Sequence, residues 1–279
     1  MSAGLDIALI QTRTPATPEA ALAHVEPLIR EAASGGAKFV LTPEVTNFME
    51  QRRDRKGLLV TDEDQDAAVL GLRHLAAELG VWLLIGSAVA KSGHTGDDRS
   101  ANRSLLIDAN GGIVARYDKL HVFDVDLANG DTYRESATIR PGDGATVADT
   151  PWGRLGMSVC YDVRFPHLYR QLAKAGASMI SIPAAFTVPT GEAHWETLLR
   201  ARAIETGAFI LAPAQGGAHE DGRRTWGHST VVGPWGEVIA KLDHDEPGVL
   251  HATLDLTAVA RARASVPALL HDREFAAPQ

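Results

Sequence analysis

The chain has 279 residues, 45% of them hydrophobic and 22% charged, which is ordinary globular usage and excludes disordered and fibrous classes. Asp and Glu number 35 against 27 Lys and Arg, a formal net charge of −8, so the clustered basic charge that a nucleic-acid partner demands is not expected. The one cysteine, Cys160, can form neither an internal disulfide nor a Cys-rich zinc site, and it suits a reducing compartment.

The opening MSAGLDIALIQT lacks a cationic start and a small-residue cleavage site, so no secretory signal is expected. Apolar runs such as 81–85 and 209–213 fall far short of the ~20 residues that cross a bilayer. A cytoplasmic protein with no membrane partner is the expectation. Residues 5–10 read as a buried strand. Thr17-Pro18-Glu19 then signals a helix: a hydroxyl cap, a proline where no amide donor is needed, and an acid at the positive end. That helix runs to about Ala33 and stops at Gly35-Gly36. Residues 38–41 form the next strand, 62–79 a second helix stopped at Gly80, and 82–85 a third strand.

The middle of the chain changes character. Residues 104–108 and 113–117 flank Ala109-Asn110-Gly111-Gly112, a hairpin signal because Asn and Gly accept positive φ. Pro151-Trp152-Gly153 and Pro234-Trp235-Gly236 read as two more tight turns between strands. Helices follow at 167–174 and 194–206, strands at 179–182 and 209–212, and a last strand at 249–254 before a Pro- and Ala-containing tail. Helices alternating with strands and hairpins imply an α/β protein with mixed sheets covered by helices. A length of 279 allows two domains at ~150 residues each, but no linker, repeat or low-complexity block divides it. One domain, 1–279, is the reading.

Much chemistry has no support. There is no G-x-x-x-x-G-K-[ST] and no G-x-G-x-x-G after a strand, so no nucleotide cofactor is expected. His219-Glu220 is followed by Asp221-Gly222, not by a second ligand one helical turn on, and no metal is expected. Gly156-Met157-Ser158-Val159-Cys160 begins like a serine nucleophile elbow, but Cys160 stands where its last glycine belongs.

Cys160 itself ends an apolar run and precedes Tyr161-Asp162-Val163-Arg164-Phe165-Pro166, the placement of a supported yet reachable nucleophile. A lone cysteine is equally readable as a small buried hydrophobe. Thr42-Pro43-Glu44 puts a carboxylate just after a strand, where α/β sheets carry working groups, and Tyr117-Asp118-Lys119 does the same for a lysine. Each alone reads as a solvated charge; together they supply a base, a cation and a thiol, the parts needed to attack an amide.

The words around these residues carry a resemblance. Thr42-Pro43-Glu44-Val45-Thr46-Asn47, Tyr117-Asp118-Lys119-Leu120-His121, Ser158-Val159-Cys160-Tyr161-Asp162-Val163-Arg164-Phe165-Pro166, the stretch 194–205 and Trp226-Gly227-His228-Ser229 resemble the nitrilase superfamily of carbon–nitrogen hydrolases. Within it the chain is similar to the Nit branch, whose members are amidases. Tyr133-Arg134-Glu135-Ser136, Ala184-Ala185-Phe186-Thr187 and Gly191-Glu192-Ala193-His194-Trp195 favour its deaminated-glutathione amidase type over ω-amidase. His167 departs from the acid that relatives carry there, beside the expected pocket.

The resemblance implies a four-layer α-β-β-α sandwich, a homodimer formed through helices next to the active site and the tail after Asp255, and a Glu44–Lys119–Cys160 triad. Glu44 would take the thiol proton, Cys160 would attack the amide carbon, and Lys119 with the Tyr161 backbone N–H would hold the tetrahedral oxygen. Glu135 matches the family's second glutamate, with an ordinary salt bridge to Lys119 or Arg134 as the other reading. Arg164 suits a substrate carboxylate or an ion pair with Asp162 or Glu205. Phe186 and Thr187 would line the pocket, although Phe186 equally suits the core. His228 reads as a structural hydrogen bond, and Trp195, Leu198 and Leu199 as a packing face. The implied substrate is a small carboxylate-bearing amide; ω-amidase action on 2-oxoglutaramate or 2-oxosuccinamate and a catalytically silent binding protein are the alternatives.

Overall fold

The computed structural model describes residues 4–127 and 130–276. The first half contains β1 (Leu5–Gln11), α1 (Pro18–Ser34), β2 (Phe39–Leu41), α2 (Arg53–Leu59), α3 (Ala67–Leu79), β3 (Trp82–Lys91), β4 (Ser100–Ile107), β5 (Ile113–Asp118), β6 (Asp124–Asp126) and β7 (Thr132–Arg134). The second contains β8 (Thr146–Thr150), β9 (Gly153–Met157), α4 (Pro166–Lys174), β10 (Ala177–Ser181), α5 (Val188–Thr206) and β11 (Phe209–Ala212). It closes with β12 (Gly216–Ala218), β13 (Arg224–Trp226), β14 (Thr230–Val232), β15 (Val238–Lys241), β16 (Gly248–Leu254) and α6 (Thr257–Ser265).

Two six-stranded sheets result, ordered β16-β1-β2-β3-β4-β5 and β15-β14-β11-β10-β9-β8. Each has three adjacent parallel strands, β1–β2–β3 in one and β9–β10–β11 in the other, flanked by antiparallel neighbours. Strand β1 shows why its sequence is a continuous apolar run. Ala8 and Ile10 face the layer of α1 and α3, with Val25, Ile29, Leu72 and Leu75. Leu5, Ile7 and Leu9 face the other way, into the cluster that holds Met157, Met179 and Leu211 of the second sheet. A strand covered on both faces needs no polar alternation. Helices α4 and α5 cover the far side of the second sheet through Leu168, Leu172, Trp195 and Leu199, completing the α-β-β-α layers. No helix among the described residues is long and apolar enough to cross a membrane.

The expected elements are present with shifted ends. The helix expected from 62 begins at Ala67 because the buried Asp66 caps it, its Oδ1 accepting the Val69 N–H at 2.9 Å; residues 62–66 make a turn instead. Strand β3 runs on to Lys91, and α5 starts at Val188, with Pro189 in its first turn. Helices α2 and α6 were not expected; α6 occupies what read as tail.

Gly86 marks the place where the two sheets meet under the strand ends. It sits where the β3–β4 pairing shifts register, between Ile85 and Ala88. A Cβ there would lie 2.0 Å from the Thr42 carbonyl oxygen, 2.4 Å from that of Pro43 and 2.5 Å from Pro183 Cβ. Gly86→Ala should therefore lower the melting temperature, by roughly the 1–3 kcal/mol that overpacking costs or more, and displace the segment after β2. Thermal denaturation checks it; an unchanged Tm would refute the close approach.

Candidate active site

Four strands bring chemistry to one end of the sandwich: the chain leaving β2 carries Glu44, β5 leads into Lys119, β9 into Cys160, and β10 into Ala185, Phe186 and Thr187. The Glu44 segment is fixed by its backbone. The Thr42 N–H donates to the Leu84 carbonyl at 2.9 Å, the Val45 N–H to Ser87 Oγ at 2.9 Å, and Gln215 Nε2 to the Glu44 carbonyl at 2.9 Å. Val45 is held at φ 51°, a costly conformation for a β-branched residue that survives only where its surroundings over-determine it.

Cys160 is strained in the same sense, at φ 49°, and opens the 3₁₀ turn Cys160–Arg164; its N–H donates to the Pro183 carbonyl at 2.9 Å. Below it the Asp162 carboxylate is wholly buried. It accepts from the Val159 N–H at 2.8 Å, the Tyr117 hydroxyl at 2.7 Å and the His121 N–H at 3.0 Å, and lies 2.7 Å from His121 Nδ1. Tyr117 and His121 bracket Lys119, so Asp162 ties the cysteine turn to the lysine segment.

Lys119, 2% exposed, is the centre of the cluster. Its Nζ donates to Glu44 Oε1 at 2.8 Å and to Glu135 at 2.9 and 3.1 Å. Asn102 Nδ2 reaches the same two acids, Glu44 Oε1 at 2.9 Å and Glu135 Oε1 at 3.2 Å. Because carboxylates only accept, the amide must face them with its NH₂, which leaves its buried Oδ1 without a partner. The Phe123 N–H donates to Glu135 at 2.6 Å, and the Ala185 N–H donates to Glu44 Oε2 at 2.9 Å. Cys160 lines the same cavity, where Glu44 and the thiol act on each other's ionisation.

These contacts set the charges. Burial pushes the Glu44 carboxyl up, but the Lys119 ammonium and the hydrogen bonds from Lys119, Cys160 and Asn102 outweigh it and hold Glu44 below the ordinary carboxylate value. Burial and the Glu44 charge drive the Cys160 thiol well up. Burial works against the Lys119 ammonium, yet Glu135 and Glu44 keep it well above the usual lysine value. The resting state is a carboxylate beside a neutral thiol and a fixed cation, so the carboxylate can take the thiol proton once the thiol reacts.

All eight residues expected at the site line one cavity of about 300 Å³: Glu44, Lys119, Glu135, Cys160, Tyr161, Arg164, Phe186 and Thr187. Glu135 pairs with Lys119, while Arg134 turns away to Asp126 at 2.7 Å. The expected ion pair of Arg164 with Asp162 or Glu205 is not formed. Asp162 is used by Tyr117 and His121, and Glu205 is paired with Arg202 at 2.9 Å. The Arg164 guanidinium lies over the Tyr161 and Phe186 rings, 5.9 and 5.4 Å from their centres, and donates to His194 Nδ1 at 3.3 Å. His167 is exposed and stacks edge-on against Phe165 and His121, outside the cavity lining. His228 makes a structural bond through Nδ1 to the Trp226 carbonyl at 2.6 Å, and Trp195 and Leu199 are core. Asn102, Ala185 and Asp162 were not singled out from sequence; a polar Asn102 inside the β4 run was the one available signal. Among the described residues, no group of three acidic, histidine or cysteine side chains is placed to hold a metal.

This fold is that of known proteins. The carbon–nitrogen hydrolase family model matches residues 6–264. The chain is 42% identical over 270 residues to the deaminated glutathione amidase of Yersinia enterocolitica, covering 96% of this chain and 93% of that one. Its structure is similar to the C. elegans NitFhit protein, with a TM-score of 0.88 and 36% identity; the match covers 97% of this chain but only 65% of NitFhit. Saccharomyces cerevisiae Nit3, a member of branch 10 of the nitrilase superfamily, superposes with a TM-score of 0.84 at 26% identity, covering 98% and 97% of the two chains. A mutant amidase from Nesterenkonia sp. AN1, carrying acrylamide added at its active site cysteine, gives 0.77 at 29% identity over 94% of this chain and 98% of that one. The chain belongs to the carbon–nitrogen hydrolase family. It is an amidase of the Nit branch of the nitrilase superfamily.

Asn102 gives the first test of the site. Its NH₂ favours the ionised form of Glu44, so Asn102→Ala should raise the pKa of Glu44 and move the acid limb of the kcat/KM profile to higher pH. A loss of roughly 10- to 100-fold in kcat/KM at neutral pH follows from removing a hydrogen bond to a charged group. A pH–rate profile with an unmoved acid limb would refute the role.

Proposed function

We propose that the protein hydrolyses the linear amide of deaminated glutathione through a thioester on Cys160, with the whole chain acting as one carbon–nitrogen hydrolase domain. The observation that carries the mechanism is the Glu44 carboxylate, bonded to Lys119 at 2.8 Å in the cavity that Cys160 also lines. The name of the 42%-identical Yersinia relative supports the substrate, and the modified active site cysteine of the Nesterenkonia enzyme supports the nucleophile.

In the first half-reaction Glu44 takes the thiol proton as Sγ bonds to the amide carbon, and the carbonyl oxygen becomes an oxyanion held by Lys119 and the Tyr161 N–H. The C–N bond then breaks, and Glu44 returns that proton to the departing nitrogen. In the second, Glu44 takes a proton from water as its oxygen attacks the thioester carbon; the S–C bond breaks, the acid leaves, and the proton goes back to sulfur. Glu135 fixes the lysine, Phe186 and Thr187 shape the wall, and Arg164, free of any carboxylate among the described residues, holds the carboxylate of the acyl half. No cofactor enters these steps.

We further propose a cytoplasmic homodimer. Ile204 on α5, Trp235, Val266 after α6, Leu270 and Phe275 are large apolar side chains left exposed on one chain, and a second copy docked along α5 and the tail would cover them.

Cys160→Ala should abolish turnover, by roughly 10⁴-fold or more, while circular dichroism and Tm stay near wild type. Persisting turnover would refute the mechanism. The kcat/KM for deaminated glutathione should exceed that for 2-oxoglutaramate and 2-oxosuccinamate; the reverse order would make the protein an ω-amidase, and no turnover of any of them a silent binding protein on this fold.

A further inference from the structure

The cavity has further cations that the mechanism does not use, and Lys56 is one of them. Lys56 lies in the middle of α2, a helix seated beside the small cluster of Phe48, Val89 and Ile139 through Leu59 and Val60. Lys56 is among the residues that line the cavity, and its Nζ is 3.4 Å from Thr138 Oγ1, on the residue that closes the turn begun by Glu135. No carboxylate among the described residues comes within ion-pairing distance of it. Arg223, its cationic neighbour on this wall, is already paired with Asp221 at 2.7 Å, and Arg224 is exposed. Burial, ahead of the attraction of Glu135 and the repulsion of Arg223, holds Lys56 below the ordinary lysine value, which marks an ammonium short of anionic company.

Arg164 lines the same cavity. From it the contacts run through the Tyr161 ring to Phe123, from the Phe123 N–H to Glu135, and through Thr138 to Lys56. Both cations line the cavity that holds Cys160 and the Glu44–Lys119–Glu135 cluster, and neither is ion-paired with a carboxylate among the described residues. The two are placed differently. Arg164 shares the 3₁₀ turn of the nucleophile, the side that receives the acyl group. Lys56 is on another element, beside Thr138, with Glu135 the carboxylate that acts on it most.

We propose that Lys56 is a specificity residue that binds a carboxylate on the leaving group, so that the cavity selects amides bearing one carboxylate on each side of the scissile bond. The inference rests on the amidase reading above and on Arg164 holding the acyl carboxylate. Deaminated glutathione has this form: a 2-oxo acid on the acyl side and a dipeptide ending in a carboxylate on the other. The amide 2-oxoglutaramate offers the same acyl half and leaves as ammonia, with nothing for Lys56 to hold. An ammonium is suited to a flexible leaving group because it binds a carboxylate as a point charge, without the fixed fork of arginine.

The test is a ratio. With deaminated glutathione and 2-oxoglutaramate as paired substrates, Lys56→Met should lower the ratio of their kcat/KM values roughly 10- to 100-fold, mainly through KM for the first, and Lys56→Arg should restore most of it. Wild type should lose a similar factor on deaminated glutathione whose terminal carboxylate is capped as the methyl amide, a measurement that needs no variant. A ratio unchanged in Lys56→Met, or a capped substrate handled as well as the free acid, overturns the role of Lys56 while leaving the amidase reading intact. A wild type inactive on both parent amides would overturn the two together.

Discussion

The structure depends on a single buried ammonium. Lys119 is 2% exposed and lies between two carboxylates, Glu44 at 2.8 Å and Glu135 at 2.9 Å. Taking three charges out of water is expensive, and attraction among them repays it only when the geometry is good and the spare hydrogen-bonding capacity is filled. Here it is filled by Asn102, the Phe123 N–H and the Ala185 N–H. Such a cluster is a poor way to stabilise a core and a good way to keep one carboxylate ionised beside one neutral sulfur.

The two sheets deliver these groups by repeating one arrangement. Three parallel strands in each end at the same side of the sandwich, and loops leaving parallel strands are where working residues gather in α/β proteins. The two loops that matter most, after β2 and after β9, each contain a non-glycine residue forced to positive φ, Val45 beside Glu44 and Cys160 itself. Both are held by hydrogen bonds that cross between segments, Val45 to Ser87 and Cys160 to Pro183. Asp162, bonded to Tyr117 and His121, then locks the cysteine turn to the chain that carries the lysine. Distances within the site are therefore set by the packing of one sheet on the other.

Around this centre the cavity is asymmetric in its chemistry. One wall is aromatic, with the Arg164 guanidinium over Tyr161 and Phe186; the other carries Lys56 near Thr138 and the paired Arg223. A chain whose net charge is −8 still gathers cations along this cavity.

The strands at 5–10, 38–41 and 113–117 were legible because their patterning is local: apolar runs bounded by Gly, Pro and cap residues. Glu44, Lys119, Glu135 and Cys160 were legible too, since each sits in a stretch whose residue types mark a family. Helix α2 was not, because Arg53-Asp54-Arg55-Lys56-Gly57 has no apolar period and an interior glycine; only docking through Leu59 and Val60 makes it a helix. Asn102, Asp162 and Ala185 were illegible for a related reason. Their partners are 58, 45 and 141 residues away, and no spacing rule connects a strand asparagine to a glutamate in another loop. By itself the sequence determined most of the strands and the longer helices and the residue types that mark the family, since these follow from local periodicity and residue chemistry; the layer order came from the family resemblance. Only the tertiary structure decided which carboxylates pair with Lys119, that Arg164 is left without an acid among the described residues, and that Lys56 joins the cavity lining, because those are relations between segments that meet only when the two sheets pack.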